Sequence, residues 1–341
     1  MKHLSCFPLI ALSVILLLAG SVFALPPIGQ LNERQHTDSI KGKVIILDPG
    51  HGGTAATDSY RVGPTGEREE WVNLRVALYL KDMLERAGGE VLLTRAGDVF
   101  VPLEERSQLA LHKQADLFVS IHHNATADRS VNFPIIYFHG SATENLGSVL
   151  LGKEIAVSLR KHLFKDKGPY SLVSDYTIFS KSGASVLRGT YGIPAVIGEA
   201  TFFTHPKEEK RLKREAYNRK EARAYFEAIA AFFSEIRSPI LEKNLPLKIP
   251  PFEVFQEAER MRPEALQWKE NFQEAKRLYE TGSSENKERA MSLLDLCVKS
   301  FPDSYLAREC HVLRATILEE QGKLDESAME FKRLEAYYPE N

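Results

Sequence analysis

The stretch Val44-Ile45-Ile46-Leu47-Asp48-Pro49-Gly50-His51-Gly52-Gly53 decides how the rest of the chain is read. Its apolar run is short and mostly β-branched, which predicts a buried strand, and Asp48-Pro49-Gly50 closes that strand in a turn. Beyond the turn the period changes. Val72, Val76, Tyr79, Leu80 and Met83 fall near 3.6-residue spacing, as on one face of a helix. Residues 90–94 form a second strand after the Gly88-Gly89 stop, residues 116–121 a third, 134–138 a fourth and 195–197 a fifth. A helix over 146–163 separates the last two. Strands alternating with helices predict an α/β domain over residues 43–236, its mostly parallel sheet flanked by helices.

The flanks differ in character. Lys2, an apolar run over residues 9–19 and the small-residue end Val22-Phe23-Ala24 predict a signal peptide over residues 1–24. The run is shorter than the roughly 20 residues of a membrane span, so the processed protein is expected to keep no transmembrane anchor. It is expected to be exported, to the periplasm or the cell wall. Residues 25–42 are polar and read as a linker. Residues 237–263 carry Pro239, Pro246, Pro250 and Pro251 and read as an extended connector. Residues 264–341 are helical in pattern, and Phe301-Pro302 returns as Tyr338-Pro339 at a period of about 37, near that of tetratricopeptide repeats. A small all-α, tetratricopeptide-like domain is expected there, with no chemistry of its own. It would be a docking place for a protein regulator, and everything from about residue 251 onward would be dispensable for catalysis.

The formal net charge is −2, which argues against nucleic-acid binding by bulk electrostatics. After processing only Cys297 and Cys310 remain. They lie on apolar helix stripes and read as buried thiols.

Three predicted strands end in polar residues: His51 after the first, His122 after the third and Glu199 after the fifth. Ligands of open α/β sheets bind beyond the carboxyl ends of the strands, so these side chains are expected to converge. Two imidazoles with a carboxylate suit Zn²⁺, whose catalytic sites use three protein ligands and leave one position open. The glycines beside His51 let backbone approach a bound ion. The third ligand should come from Glu67, Glu69 or Glu70, acids that also suit a helix N-terminus, and spacing does not choose among them. His123 alternates to the opposite strand face from His122 and is expected to support the site or lie at the surface. His139 and His205 are read the same way.

These segments resemble the zinc-dependent N-acetylmuramoyl-L-alanine amidases of the Amidase_3 family. The opening stretch is similar to their first motif, and Glu69-Glu70-Trp71-Val72-Asn73-Leu74 to their E-x-x-V-N-L helix start. Leu93-Thr94-Arg95 with Asp98, Leu103-Glu104-Glu105-Arg106, the run from Asp116 to Asn124 and Pro194-Ala195-Val196-Ile197-Gly198-Glu199 match in order. The resemblance implies zinc ligands His51, Glu69 and His122, with Glu199 as the catalytic carboxylate. It further implies peptidoglycan as substrate, cut at the amide between N-acetylmuramic acid and L-alanine. His123 replaces a small residue of the family pattern, Leu111 an asparagine, and the tail after Glu199 differs. Some relatives plug the site with an extra helix between the second histidine and the last glutamate. Here one strand, one helix, a loop and the final strand fill that interval, so no such plug is expected. A zinc peptidase acting on other peptides and a non-catalytic wall scaffold are the alternative readings.

Overall fold

The computed structural model describes residues 33–56, 61–234, 240–241, 249–255 and 257–340. The signal peptide and the first part of the linker, residues 25–32, lie outside the described residues. The chain runs α1 (Glu33–Ile40), β1 (Val44–Pro49), α2 (Glu69–Arg86), β2 (Glu90–Leu93), α3 (Leu103–His112), β3 (Leu117–Asn124), β4 (Ile135–Phe138), α4 (Leu146–Leu163), β5 (Ser171–Ser174), α5 (Ser185–Gly189) and β6 (Ala195–Phe202). Then come α6 (Pro206–Leu212), α7 (Glu215–Ser234), the short α8 (Glu257–Arg260) and α9 (Pro263–Leu266), α10 (Trp268–Glu280), α11 (Ser284–Ser300), α12 (Ala307–Glu320) and α13 (Leu324–Tyr337). Among the described residues no helix is long and apolar enough to cross a membrane.

The strands form one sheet in the order β2-β1-β3-β6-β4-β5. β2, β1, β3 and β6 are parallel, while β4 runs antiparallel to β6 and carries β5 parallel to itself. Alternation along each strand sends successive side chains to opposite faces. Ile45, Leu47, Val119 and Ile121 enter one core with α1, α2, α4 and α7. Ile46, Phe118, Ile135 and Phe202 face a second core, closed by α3, α5 and the C-terminal helices.

That second core joins the predicted domains. Phe133, from the loop before β4, lies 5.1 Å from Tyr305 and 5.4 Å from Phe202, ring centre to ring centre. Phe301 lies 4.9 Å from Trp268. The Tyr137 hydroxyl donates to Asp303, and Ala142 N donates to the carbonyl of Ala336 at 2.8 Å. In the Pro-rich stretch, Ile249 is buried and Arg333 donates to the Pro250 carbonyl at 2.8 Å. These helices cover the sheet, so they are part of its packing.

Several elements depart from the sequence reading. Half of the linker is helix α1, with Ile40 fully buried against the first core. β5 and α5 occupy a stretch whose sequence reads as loop; β5 is short, and its Leu172 and Val173 serve opposite cores. β3 and β6 run past the apolar residues that announced them, to Asn124 and Phe202. Each has the other as a neighbour in the ladder, so its backbone stays paired while its side chains turn polar. His122 and Glu199 therefore lie within strands, as register partners.

Candidate metal centre and catalytic site

β1 feeds the chain into a loop that passes close under His122. A Cβ built on Gly50 would lie 2.2 Å from the His122 ring, so only glycine fits there. His51 follows with φ +58°, a left-handed conformation that costs a non-glycine residue on the order of 1–3 kcal/mol. Two buried arginines hold it in place. Arg106 donates to the His51 carbonyl at 2.7 Å and to Asp48 Oδ1 at 2.8 Å. Arg95 donates to the carbonyls of Pro49 and Gly50, both at 2.8 Å. Asp48 also accepts from Thr94 Oγ1 and Ser120 Oγ, both at 2.6 Å. Asp98 accepts from Gly53 N at 2.7 Å and Trp71 Nε1 at 2.9 Å. The segments 94–98 and 103–106 thus act as a bracket that aims His51. Burial, and the neighbouring Arg106 charge, bring the Arg95 pKa down to about 10.

Glu67, Glu69 and Glu70 separate clearly in space. Glu67 pairs with Arg75 and Glu70 with Arg68, both at 2.5 Å. Glu69, in the first turn of α2, is buried, and its Oε1 lies 3.1 Å from His51 Nε2 and 3.0 Å from His122 Nδ1. The two imidazoles meet edge to face, their centres 4.7 Å apart. One ligand atom from each of His51, Glu69 and His122 falls within 4.8 Å of the others, a cluster able to hold a metal ion. Two nitrogens and one carboxylate oxygen are donors zinc accepts. No residue between 125 and 198 belongs to the cluster.

Glu199 sits beside this group, paired through β6 with His122 of β3 and through β4 with Ile135. Its Oε2 is buried and has no hydrogen-bond partner in the protein. A buried carboxylate oxygen left unpartnered is costly, and this one belongs to the register partner of His122. Burial pushes the Glu199 pKa up to about 7, with Glu69 adding to the rise and His122 opposing it. Burial also acts to raise Glu69, but His51 and His122 outweigh it and hold its carboxyl well below the usual range. Burial lowers His51 despite Glu69; His122 resists burial and is raised, chiefly through its bond to Glu69.

His123 does turn to the opposite face, where it is fully enclosed. Its ring lies between Asn73 Oδ1 at 2.8 Å and Glu221 Oε2 at 3.0 Å. Asn73 passes the contact on, donating through Nδ2 to Glu69 Oε1 at 3.1 Å and to the Gly50 carbonyl at 3.3 Å. Asn73 is one helical turn from Glu69, a spacing that could have revealed it. Glu221 is remote in sequence and gave no such signal. His139 is buried against Asp175 at 2.8 Å, and His205 caps α6 by accepting from Lys207 N and Glu208 N. Neither reaches the metal-capable cluster.

The match to known proteins covers this region. Residues 45–231 fit the Amidase_3 family model, described as N-acetylmuramoyl-L-alanine amidase. The chain is 29% identical over 227 residues to the N-acetylmuramoyl-L-alanine amidase AmiA of Escherichia coli K12, covering 56% of this chain and 76% of that protein. It is 33% identical over 221 residues to the uncharacterized protein YqiI of Bacillus subtilis, covering 64% of this chain and 97% of that one. The CwlD amidase of Clostridioides difficile, solved in complex with the GerS lipoprotein, is 27% identical and superposes with a TM-score of 0.49 over 57% of this chain and 99% of its own. With more than half of its length matched by that family model, the chain belongs to the N-acetylmuramoyl-L-alanine amidase family.

Proposed function

We propose that the protein is a zinc-dependent hydrolase of peptidoglycan, cutting the amide between the lactyl group of N-acetylmuramic acid and the L-alanine of the stem peptide. The observation that carries this reading is the convergence of His51, Glu69 and His122 beside Glu199. His51, Glu69 and His122 would hold the ion. Bound there, zinc supplies Lewis acidity toward the scissile carbonyl and acidifies water toward neutrality. Glu199 takes the proton of the attacking water and passes it to the leaving amine, and its unpartnered Oε2 is the atom free to do so. The Arg95 and Arg106 bracket keeps the His51 loop in the one conformation that brings its ring to Glu69. Residues 1–24 direct export to the periplasm or wall, and the α10–α13 helices, read as tetratricopeptide-like, offer a regulator its docking place.

Purified protein incubated with isolated peptidoglycan should release stem peptides that begin with L-alanine. A chelator should abolish release, and added zinc should restore it. Release of fragments cut inside the peptide, or between sugars, would overturn the reading.

The chain from His123 through Asn73 to Glu69 gives a further expectation. Ligand-supporting hydrogen bonds of this kind are typically worth about 10–100-fold in metal affinity. Asn73→Ala should weaken zinc binding by about that factor while the fold stays intact, measured by competition with a chelating dye and by circular dichroism. An unchanged affinity would assign Asn73 to packing alone.

A further inference from the structure

We propose that Cys297 and Cys310 close into an intramolecular disulfide, and that this is the form of the protein in an oxidising compartment; the second part rests on the export reading above. The two residues lie on neighbouring helices, α11 and α12, and both are fully buried. Their sulfurs are 3.2 Å apart. A disulfide needs about 2.05 Å between sulfurs, so a closure of about 1 Å, within the reach of side-chain rotation, would make the bond. Outside residues 1–24 the sequence has no other cysteine, so no rival pairing competes.

What the bond would enclose gives it a consequence. Between the two cysteines lies the turn from Phe301 to Leu306, the part of the helical segment that seats on the sheet. Phe301 packs 5.9 Å from Phe133 and 6.4 Å from Phe202, and Tyr305 lies 5.1 Å from Phe133. Asp303 accepts the hydroxyl of Tyr137, which projects from β4, the strand paired with Glu199. Joining the helix ends on either side of this turn fixes the piece that covers the catalytic face.

The chemistry balances with a small-molecule disulfide such as glutathione disulfide as oxidant. The thiolate of one cysteine attacks it, forms a mixed disulfide and expels one reduced thiol. The second cysteine then attacks the protein sulfur of that mixed disulfide and expels the other. Two protein thiols become one disulfide and the oxidant becomes two thiols. Burial pushes the Cys310 thiol well above its usual range, so exchange is fast before α11 and α12 close and slow afterwards. The bond therefore forms during folding and is then sheltered.

The test uses the full chain with Cys6→Ser, so that two cysteines remain, refolded with glutathione disulfide and then denatured in the presence of an alkylating agent. The expected mass shows no alkyl group, and two after prior reduction. Reductant should also lower the thermal midpoint by about 4 °C, as for a closed loop of this length in a chain of this size. It should leave that of C297A/C310A where it was. Two alkyl groups without reduction, or stable glutathione adducts, would overturn the proposal. So would a wild-type midpoint that reductant does not move. None of these readouts involves peptidoglycan, so the amidase reading stands or falls separately. Sequencing the N-terminus of protein recovered outside the cytoplasm tests export on its own.

Discussion

A chain ended at Arg237 is expected to be largely insoluble, or to lose cooperative unfolding. The reason lies in the second face of the sheet. Phe118, Ile135 and Phe202 are fully buried, and Phe133 nearly so, with the C-terminal helices as part of their cover. Returning one such side chain to water costs about 1.5–3 kcal/mol, and several together rival the roughly 5–15 kcal/mol that keeps a domain folded. The Tyr137 hydroxyl and Ala142 N would lose their partners as well. Urea unfolding of the full and shortened chains, followed by tryptophan-independent circular dichroism, decides it. A soluble shortened chain that unfolds in one sharp transition and binds zinc would show that the helical segment is a separate module.

The sequence led to the opposite expectation, that this segment is dispensable, for an understandable reason. No candidate site residue lies in it, and a Pro-rich stretch precedes it. Periodicity tells which face of α10 or α11 is apolar, but does not tell whether that face meets another helix or the sheet. The site was far more legible. His51, His122 and Glu199 stand next to apolar strand runs, and such runs are visible without any partner. Choosing Glu69 over Glu67 and Glu70 needed the family resemblance, because all three suit a helix start. In space Glu69 is the acid that lies against both His51 and His122, while Glu67 and Glu70 pair with Arg75 and Arg68. Arg95 and Arg106 stand in the sequence as matched motif residues without a role, since, apart from the Arg106–Asp48 pair, their partners are backbone carbonyls that no side-chain pattern reports. β5 was missed because Ser171 and Ser174 leave it too short an apolar run.

Substitutions at the centre should divide into two classes. Changing His51, Glu69 or His122 to Ala removes one of the three proposed ligands, and zinc content and activity should fall together. Glu199→Gln keeps the shape but removes the proton acceptor. Zinc should remain near stoichiometric while turnover falls by about 10²–10⁴-fold. The ligand variants should also melt earlier than Glu199→Gln in the presence of zinc, because an ion bound only by the native state stabilises it. Metal analysis beside a peptide-release assay on the four variants measures both quantities. If Glu199→Gln lost its zinc as fully as His51→Ala, Glu199 would be a ligand and the assignment of roles would be wrong.

The hydrogen bond from Ala142 N to the carbonyl of Ala336 has a consequence for the order of events in biosynthesis. A ribosome delivers α1 through α7 first, and these carry the residues of the core that holds Ile45, Leu47 and Val119. The opposite surface of the nascent sheet, with Phe118 and Ile135, is covered only in part, by α3 and α5, until α10 to α13 emerge. Such half-covered intermediates are prone to aggregate. Tardy completion of this kind favours a polypeptide held unfolded by a chaperone until its whole length is available, and ties maturation of the hydrolase to its last-made helix.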